Sequence, residues 1–348
     1  MQSRAGRKNR WASLAAMAIM LVAFAAWASR RLPARPSPFV SSANSVSQAE
    51  YGNDSWYWLE QRDKTHQVLV RADSSGHTTN LVTADEIGAF YPAEKHLLTI
   101  SRTGKSWTAV LSDSSGTSPV TLCSGSERLS GALISNGRAF FLKSGEPSQS
   151  SPGEIVALQP TTSLLSTSIP SGALKTLTTV YEKHGLQVIG VSHDDLFFSA
   201  SRDTLHGVTA IYRVSANGGI AKRIVGETGV QNALVGGDGA LYWTAPAHEA
   251  QNYYAVSCIR RMLPDSPPQT LTGWMAAGGR VFEFQNHILY VDGSYTPAAI
   301  QVRSASDLPN PIPLPAGYIA VAANKEEILV QKRNGVDGNT SLFLVGRR

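Results

Sequence analysis

The chain has 348 residues, of which 42% are hydrophobic and 16% are charged, and its net charge at pH 7 is +5. This composition is typical of a globular protein with many turns and excludes a mainly disordered chain. Residues 1–35 hold seven basic residues and no acidic ones, and subtracting these seven from +5 leaves −2 for the rest. The folded part is therefore not basic overall and has no basic stripe interleaved with aromatic residues, so nucleic acid is not expected as a partner.

The first 29 residues carry a membrane-targeting signal. Residues 1–10 form a basic flank, and the 19 residues 11–29 contain no charge. As a helix, such a segment extends about 28 Å, close to the roughly 30 Å hydrocarbon core of a bilayer. Trp11 and Trp27 stand near its two ends, where indole rings favour the interface. Residues 11–29 are therefore predicted to be a transmembrane signal anchor.

Two other interpretations of this segment remain open, a cleaved signal peptide and a buried core helix. The sequence Ala26-Trp27-Ala28 fits the small-x-small pattern that signal peptidase accepts. The basic pair Arg30-Arg31 directly beyond the apolar run argues against cleavage. The positive-inside rule favours a cytoplasmic N-terminus, so the expected protein is a single-pass membrane protein with its folded domain outside the cytoplasm.

Residues 30–48 are rich in proline and serine, which predicts an extended tether. From residue 49 to residue 348, short apolar runs alternate with turn residues. One pattern returns seven times, mostly at intervals of about 40 to 45 residues with one longer interval after residue 160: an apolar strand, a polar loop, a second strand and a Ser/Asp/Asn/Gly turn. Examples are WYWLEQ then QVLVRADSSG (56–76) and RAFFLK then EIVALQP (138–160). The pattern predicts an all-β protein, a β-propeller over residues 49–348.

Seven blades are favoured and six are possible. The last copy has an inner strand near Tyr318 to Ala323, but the chain ends without a clear outer strand. A segment near residues 38–46 is expected to supply that strand and close the ring. With six blades, residues 160–187 would instead be an irregular insertion and one copy would be misread.

The stretch GGDGALYWT (236–244) is interpreted as part of this repeat rather than as an active site. Asp238-Gly239 is expected to turn the chain between the first and second strands of a blade. The words LYWTAP, LFFSAS and AIYRVSANGGIAKRIV resemble the bacterial propeller repeats of the DUF5050 and YWTD-like group, most clearly over residues 188–272. This resemblance implies a propeller fold and brings no family active site with it.

A search for catalytic motifs finds no Gly-x-Ser-x-Gly elbow, phosphate-binding loop or His-Glu-x-x-His helix. No catalytic, cofactor-binding or metal-binding residues are predicted, and no cofactor. His248-Glu249 lacks a second histidine and is interpreted as a loop. His193-Asp194-Asp195 places an imidazole beside two carboxylates, but a turn is the simpler interpretation. Asp203 and His206 are expected on the next loop of that blade, at the opposite end of the strand.

Aromatic runs, sequons and cysteines also have structural interpretations. Trp56-Tyr57-Trp58 and Tyr253-Tyr254 would suit stacking on sugars, but strand alternation favours packing between blades. The glycosylation sequons at Asn53 and Asn339 are expected to be silent. Cys123 and Cys258 fall on separate blades, so two thiols are predicted rather than a disulfide.

The sequence thus predicts a membrane-anchored extracytoplasmic β-propeller that acts as a binding or scaffolding module in the cell envelope. Its expected partners are the membrane, through residues 11–29, and a protein or envelope polymer at the propeller loops. The alternative is a propeller enzyme, a glycan- or peptide-directed hydrolase or lyase, with a site at the funnel mouth.

Overall fold

The structure is a computed structural model. It describes residues 36–44, 46–145, 161–170, 172–182, 184–201, 208–228, 230–246, 256–263, 265–271, 275–276, 281–284, 287–292, 301–304, 312–313, 317–333 and 340–346. Every regular element in these ranges is a β-strand. The predicted anchor, residues 11–29, lies outside them. In the described ranges, no helix has the length and apolar character needed to span a bilayer.

The described strands pair into seven antiparallel sheets. The chain begins with β1 (Ser37–Ala43) and continues into three sheets. Sheet 1 contains β2 (Val46–Gly52), β3 (Ser55–Gln61), β4 (Gln67–Ala72) and β5 (Thr78–Ala84). Sheet 2 contains β6 (Glu86–Ala93), β7 (His96–Thr103), β8 (Ser106–Asp113) and β9 (Val120–Gly125). Sheet 3 contains β10 (Leu129–Ser135), β11 (Arg138–Gly145), β12 (Thr161–Ser168) and β13 (Lys175–Val180).

The remaining sheets follow in chain order. Sheet 4 contains β14 (His184–Ser192), β15 (Asp195–Ser201), β16 (Val208–Ser215) and β17 (Lys222–Thr228). Sheet 5 contains β18 (Gln231–Val235), β19 (Leu241–Pro246), β20 (Val256–Met262), β21 (Gln269–Thr270) and β22 (Met275–Ala276). Sheet 6 contains β23 (Val281–Phe284), β24 (His287–Asp292), β25 (Gln301–Ser304) and β26 (Ile312–Pro313). Sheet 7 contains β27 (Tyr318–Ala323), β28 (Glu327–Arg333), β29 (Thr340–Gly346) and β1.

These sheets form a closed ring. The first strand of each sheet contacts the first strand of the next, from β2 through β23, and β27 contacts β2 again. The expectation of an all-β propeller is confirmed. One repeat differs from the expected alignment: β11 pairs with Thr161–Ser168, whereas the expected partner EIVALQP (154–160) lies entirely outside the described ranges.

Alternation along the strands places large side chains between adjacent sheets, as predicted for the first aromatic run. Trp56 and Trp58 pack in the cluster between sheets 7 and 1, which includes Leu329 and Leu342. Tyr57 points to the other face and packs with Phe90, Leu97 and other residues between sheets 1 and 2. The three aromatic side chains are at most 2% exposed, so they are core residues and not a stacking surface for a ligand.

The two ends of the domain are joined within sheet 7. β1 pairs antiparallel with β29 at the outer edge of the sheet, and Val40 lies opposite Leu342. The expected closing strand is therefore confirmed. The folded domain begins at Ser37, so the predicted tether of residues 30–48 extends no further than residue 36. The reason is that β29 offers an unpaired edge to which the Ser- and Val-containing segment hydrogen-bonds.

Tight turns connect the first and second strands of the sheets. Asn53-Asp54, Glu94-Lys95 and Asn136-Gly137 have positive φ at both positions, as type I′ turns require. Asp238-Gly239 lies between β18 and β19, as predicted, and Gly239 has φ of 74°. A Cβ on Gly239 would also lie 2.9 Å from Ser192 Oγ of sheet 4. Glycine therefore suits this position both because of its positive φ and because a side chain would clash with Ser192.

Both cysteines are thiols, as predicted. Cys123 lies in β9, the outer strand of sheet 2, and is partly exposed, whereas Cys258 lies in β20 of sheet 5 and is buried.

The different exposure of the two cysteines can be tested with a thiol reagent. We expect the reagent to modify Cys123 first in the native protein and both residues after unfolding. Peptide mapping under non-reducing conditions checks this, and a Cys123–Cys258 cross-link would contradict the strand assignment.

The closing strand can be tested at Val40, which is 8% exposed and packs in the core cluster of sheets 7 and 1. Val40→Asp should lower the free energy of unfolding by roughly 3 kcal/mol, because it buries an unpaired carboxylate. Pro38→Asp, at an exposed position of the same strand, is the matched control and should be close to neutral. Urea denaturation measures both, and equal midpoints would show that β1 does not close the ring.

Candidate ligand site at the central channel

The first strands of the seven sheets surround a central channel. Its cavity has a volume of about 1310 Å³ and is lined by residues of all seven sheets. Backbone segments approach closely around it: a Cβ on Gly131 in β10 would lie 2.7 Å from the backbone nitrogen of Val188 in β14. The channel is large enough to admit an extended chain or a drug-sized ligand.

We call the end of the ring that carries the turns between first and second strands the lower end. These turns include residues 53–54, 94–95, 136–137, 193–194, 236–240 and 324–326. Because neighbouring strands are antiparallel, the hairpins between third and fourth strands lie at the same end. The connections between second and third strands, such as residues 62–66, lie at the opposite, upper end.

Carboxylates collect where the channel opens at the lower end. The channel lining includes five of them, from sheets 1, 6 and 7, against one lysine, Lys325, among the described residues: Glu50, Asp54, Glu283, Glu326 and Glu327. We call these five residues the acidic mouth. Its electrostatic potential attracts cations and repels anions.

Titratable groups at the mouth influence each other. Burial, reinforced by the charge of Glu326, raises the pKa of the Glu327 carboxyl. Burial, with the charges of Glu50 and Glu94, raises the pKa of Tyr91 to about 12. Burial and neighbouring negative charge together therefore disfavour further ionisation here, and a bound cation would relieve the repulsion.

The turns that bear these residues are fastened to their neighbours. Asn53 accepts a hydrogen bond from the Lys95 backbone N–H at 2.7 Å, and its amide donates to the His96 carbonyl at 2.9 Å. Glu94 accepts from Gly137 N–H at 2.8 Å, and Glu283 accepts from Gly237 N–H at 2.8 Å. These bonds join sheet 1 to 2, 2 to 3 and 5 to 6, so the parts of the mouth on sheets 1 and 6 are fastened to neighbouring sheets.

The His193-Asp194-Asp195 sequence forms a turn at the lower end, with the three side chains in different settings. His193 has φ of 55°, and its Nδ1 lies 3.1 Å from Ser192 Oγ. Asp195 pairs with Arg213, whose Nε lies 3.6 Å from Asp195 Oδ2. The structure does not bring the imidazole and the two carboxylates together as a catalytic set.

Asp238 is the centre of a hydrogen-bond network within sheet 5. Its Oδ2 accepts hydrogen bonds from Tyr242 OH at 2.7 Å and from the Arg261 guanidinium at 2.8 Å. Burial acts to raise the pKa of the Asp238 carboxyl, but these two hydrogen bonds, with that from the Ala240 N–H and the charge of Arg261, outweigh burial and lower the pKa. The network joins the turn to β19 and β20, which supports a structural role for the GGDG stretch.

Other candidates from the sequence lie outside the described residues: Asp203, His206, His248-Glu249, Tyr253-Tyr254 and Asn339. Among the residues that are described, no group of three or more His, Cys, Asp or Glu side chains is placed to hold a metal ion.

The acidic mouth could not be found from sequence motifs, because its members come from three sheets far apart in sequence. A usable signal was the acidic residue at or just after the first strand of several repeats.

No protein-family model matches the sequence, and no curated protein is similar enough to count as a relative. Solved structures do resemble the fold. An acylaminoacyl peptidase in complex with Z-Gly-Gly-Phe-chloromethyl ketone has a TM-score of 0.61 at 8% identity, over 86% of this chain and 51% of that one. An oligogalacturonate lyase in complex with manganese has a TM-score of 0.56 at 9% identity, over 91% of this chain and 98% of that one.

The β-propeller domain of the trilobed protease from Pyrococcus furiosus has a TM-score of 0.50 at 11% identity, over 77% of this chain and 83% of that one. This chain spans about half the length, 51%, of the acylaminoacyl peptidases that it resembles. At such low identity the comparisons show a shared propeller fold and nothing about chemistry.

Burial of Tyr91, reinforced by nearby negative charge, predicts a phenol with a raised pKa. The pKa of Tyr91, about 12, lies above the ordinary 10.0, so its stabilising effect is complete below pH 10 and is lost as the pH rises through 12. Glu50→Gln should lower this pKa only in part, because burial is its largest cause. The phenolate absorbance of wild type minus that of Tyr91→Phe measures the titration, and an unperturbed midpoint would contradict the packing described.

Proposed function

We propose that the chain is a membrane-anchored, seven-bladed propeller that acts as a binding module in the cell envelope and takes its ligand at the acidic mouth. In this proposal residues 11–29 hold the protein in the bilayer with the N-terminus in the cytoplasm. The observation that carries it is a channel of about 1310 Å³ whose described lining has five carboxylates and one lysine at the lower opening. The resemblance of residues 188–272 to bacterial propeller repeats is in keeping with this role.

Charge and shape together favour one class of ligand. A protein segment with basic residues would gain from the carboxylates at the mouth, whereas an anionic polymer such as a polyuronate would be repelled. The fastened turns of sheets 1 and 6 restrict the segments that bear Asp54 and Glu283, so these segments lose little conformational freedom on binding. The proposed ligand is therefore a basic segment of an envelope protein.

A second candidate, a glycan- or peptide-directed hydrolase or lyase, is favoured by one observation. The peptidase and the lyase that resemble this chain are enzymes with the same fold, and the lyase is covered over 98% of its length. Because fold alone does not carry chemistry, this alternative depends on finding turnover.

Anchoring is tested by topology. We expect the full chain to stay with membranes after alkaline carbonate washing and to retain its N-terminal sequence, because residues 11–29 are long enough to span. Sedimentation and N-terminal sequencing check this. Recovery of a soluble form that begins at Ser29 would show instead that the segment is a cleaved signal peptide.

Ligand class is tested with immobilised protein and two model peptides, oligolysine and oligoglutamate. Oligolysine should be retained and oligoglutamate should not, and added salt should weaken retention. Asp54→Asn with Glu326→Gln should weaken it by about threefold for each charge removed. Glu127→Gln, which removes a carboxylate paired with Lys143 outside the channel, is the matched control and should change nothing.

The enzyme alternative predicts a different result. Peptide or glycan fragments from envelope extracts would be consumed by the purified protein, and the activity would be lost in variants of the acidic mouth. Retention without turnover supports the binding module, and turnover that survives rigorous purification would replace it.

A further inference from the structure

The lower end of the ring exposes aliphatic side chains on three consecutive sheets. Leu174, Ile220 and Leu263 lie in the hairpins between the third and fourth strands of sheets 3, 4 and 5. Their exposed fractions are 41%, 97% and 41%. Single exposed aliphatics are ordinary, but the corresponding hairpins of adjacent sheets place these three along one arc of the rim.

A cationic cavity lies between the hairpins of sheets 4 and 5. It has a volume of about 400 Å³, and its apolar wall includes Phe197, Leu241 and Met262. Lys222 and Arg223 line it as well, and both are exposed.

The cations of this cavity differ in their partners. Arg213 is engaged by Asp195 and by Asp265, whose Oδ1 lies 2.9 Å from Arg213 Nη1. For Lys222 and Arg223, no carboxylate of the described chain lies within ion-pair distance. Two cations beside exposed aliphatic tips are the combination that binds anionic lipid surfaces.

The chain also enters the domain at the lower end. β1 runs antiparallel to β29, so Ser37 lies at that end. The turn after β4 confirms the position, since a Cβ on Gly76 would lie 2.4 Å from the Phe39 carbonyl oxygen. Residues 30–36 reach at most about 25 Å when fully extended. If residues 11–29 span the bilayer, the lower end is therefore the one held against it.

We propose that the hairpins of sheets 3, 4 and 5 form a docking surface for a bilayer containing anionic lipid. Leu174, Ile220 and Leu263 enter the headgroup region, and Lys222 and Arg223 contact lipid phosphates. The acidic mouth lies at the centre of the ring and these hairpins at its periphery, so the two charge patterns are separated. This inference rests on the proposed anchoring of residues 11–29.

The consequence concerns the ligand of the channel. With the lower end on the bilayer, the acidic mouth opens close to the membrane surface. A basic segment that reaches it would then be a juxtamembrane segment of another membrane protein.

The test uses the full chain reconstituted in phosphatidylcholine vesicles with and without phosphatidylglycerol. In a Cys123→Ser background, Ile220→Cys carries an environment-sensitive fluorophore; Cys258 is buried. The matched control is Tyr181→Cys, at an exposed residue between β13 and β14 at the upper end. We expect blue-shifted emission and quenching by lipid-attached nitroxide for the label at position 220, and neither for the label at position 181.

Further variants separate the contribution of the two cations from that of the aliphatic side chains. Lys222→Gln with Arg223→Gln should lower the ratio of docked to undocked label by roughly fivefold for each charge, and only in vesicles with phosphatidylglycerol. Leu174→Ser with Leu263→Ser should lower it in both kinds of vesicle. Unchanged far-ultraviolet circular dichroism shows that the variants fold.

The remaining outcomes would contradict the docking surface, the anchoring or the orientation of the ring. If the chain floats with vesicles but the label at position 220 behaves like the label at position 181, the docking surface is wrong and the anchoring stands. If the chain does not float with vesicles, both are wrong. If the label at position 181 is quenched instead, the upper end faces the bilayer.

Discussion

Each sheet of the ring has two apolar faces, and only its neighbours can cover them. Trp58 on one face of sheet 1 packs against residues of sheet 7, while Tyr57 on the other face packs against sheet 2. No sheet is therefore stable alone, and the last must return to the first. The pairing of β1 with β29 meets this requirement by placing both ends of the domain in one sheet.

Closure of the ring determines which side chains line its central channel. Seven first strands converge on the axis, and their ends bring together side chains from distant parts of the chain. Asp54 and Glu326 are separated by most of the sequence, yet both line one opening. Hydrogen bonds between adjacent turns, such as Asn53 to Lys95, hold these groups against their mutual repulsion. The same constraint that stabilises the fold thus concentrates negative charge at the mouth.

The shared architecture with peptidases and with a lyase illustrates how little a propeller alone says about chemistry. The distinguishing features lie in loops and strand ends. In this chain they are the acidic mouth at the axis and the aliphatic and basic hairpins at the periphery, which have opposite charge and suit different partners. Both are at the end where the polypeptide enters the domain.

The sequence by itself determined what local patterns can determine. Alternation of apolar residues specified the strands and the two faces on which Trp56 and Tyr57 pack, and Asp238-Gly239 specified a turn. A count of the strands in the last repeat indicated that residues near 38–46 would supply its outer strand and close the ring. These features depend on neighbouring residues or on a simple count of strands.

Only the tertiary structure decided which strands pair and which side chains meet. The partner of β11 is Thr161–Ser168, a polar-rich strand whose burial depends on its neighbours and not on its own pattern. Likewise Glu50, Glu283 and Glu327 belong to different repeats and form one mouth only because the ring places their strands around a common axis. Contacts between residues so far apart in sequence are set by ring closure, and no local motif records them.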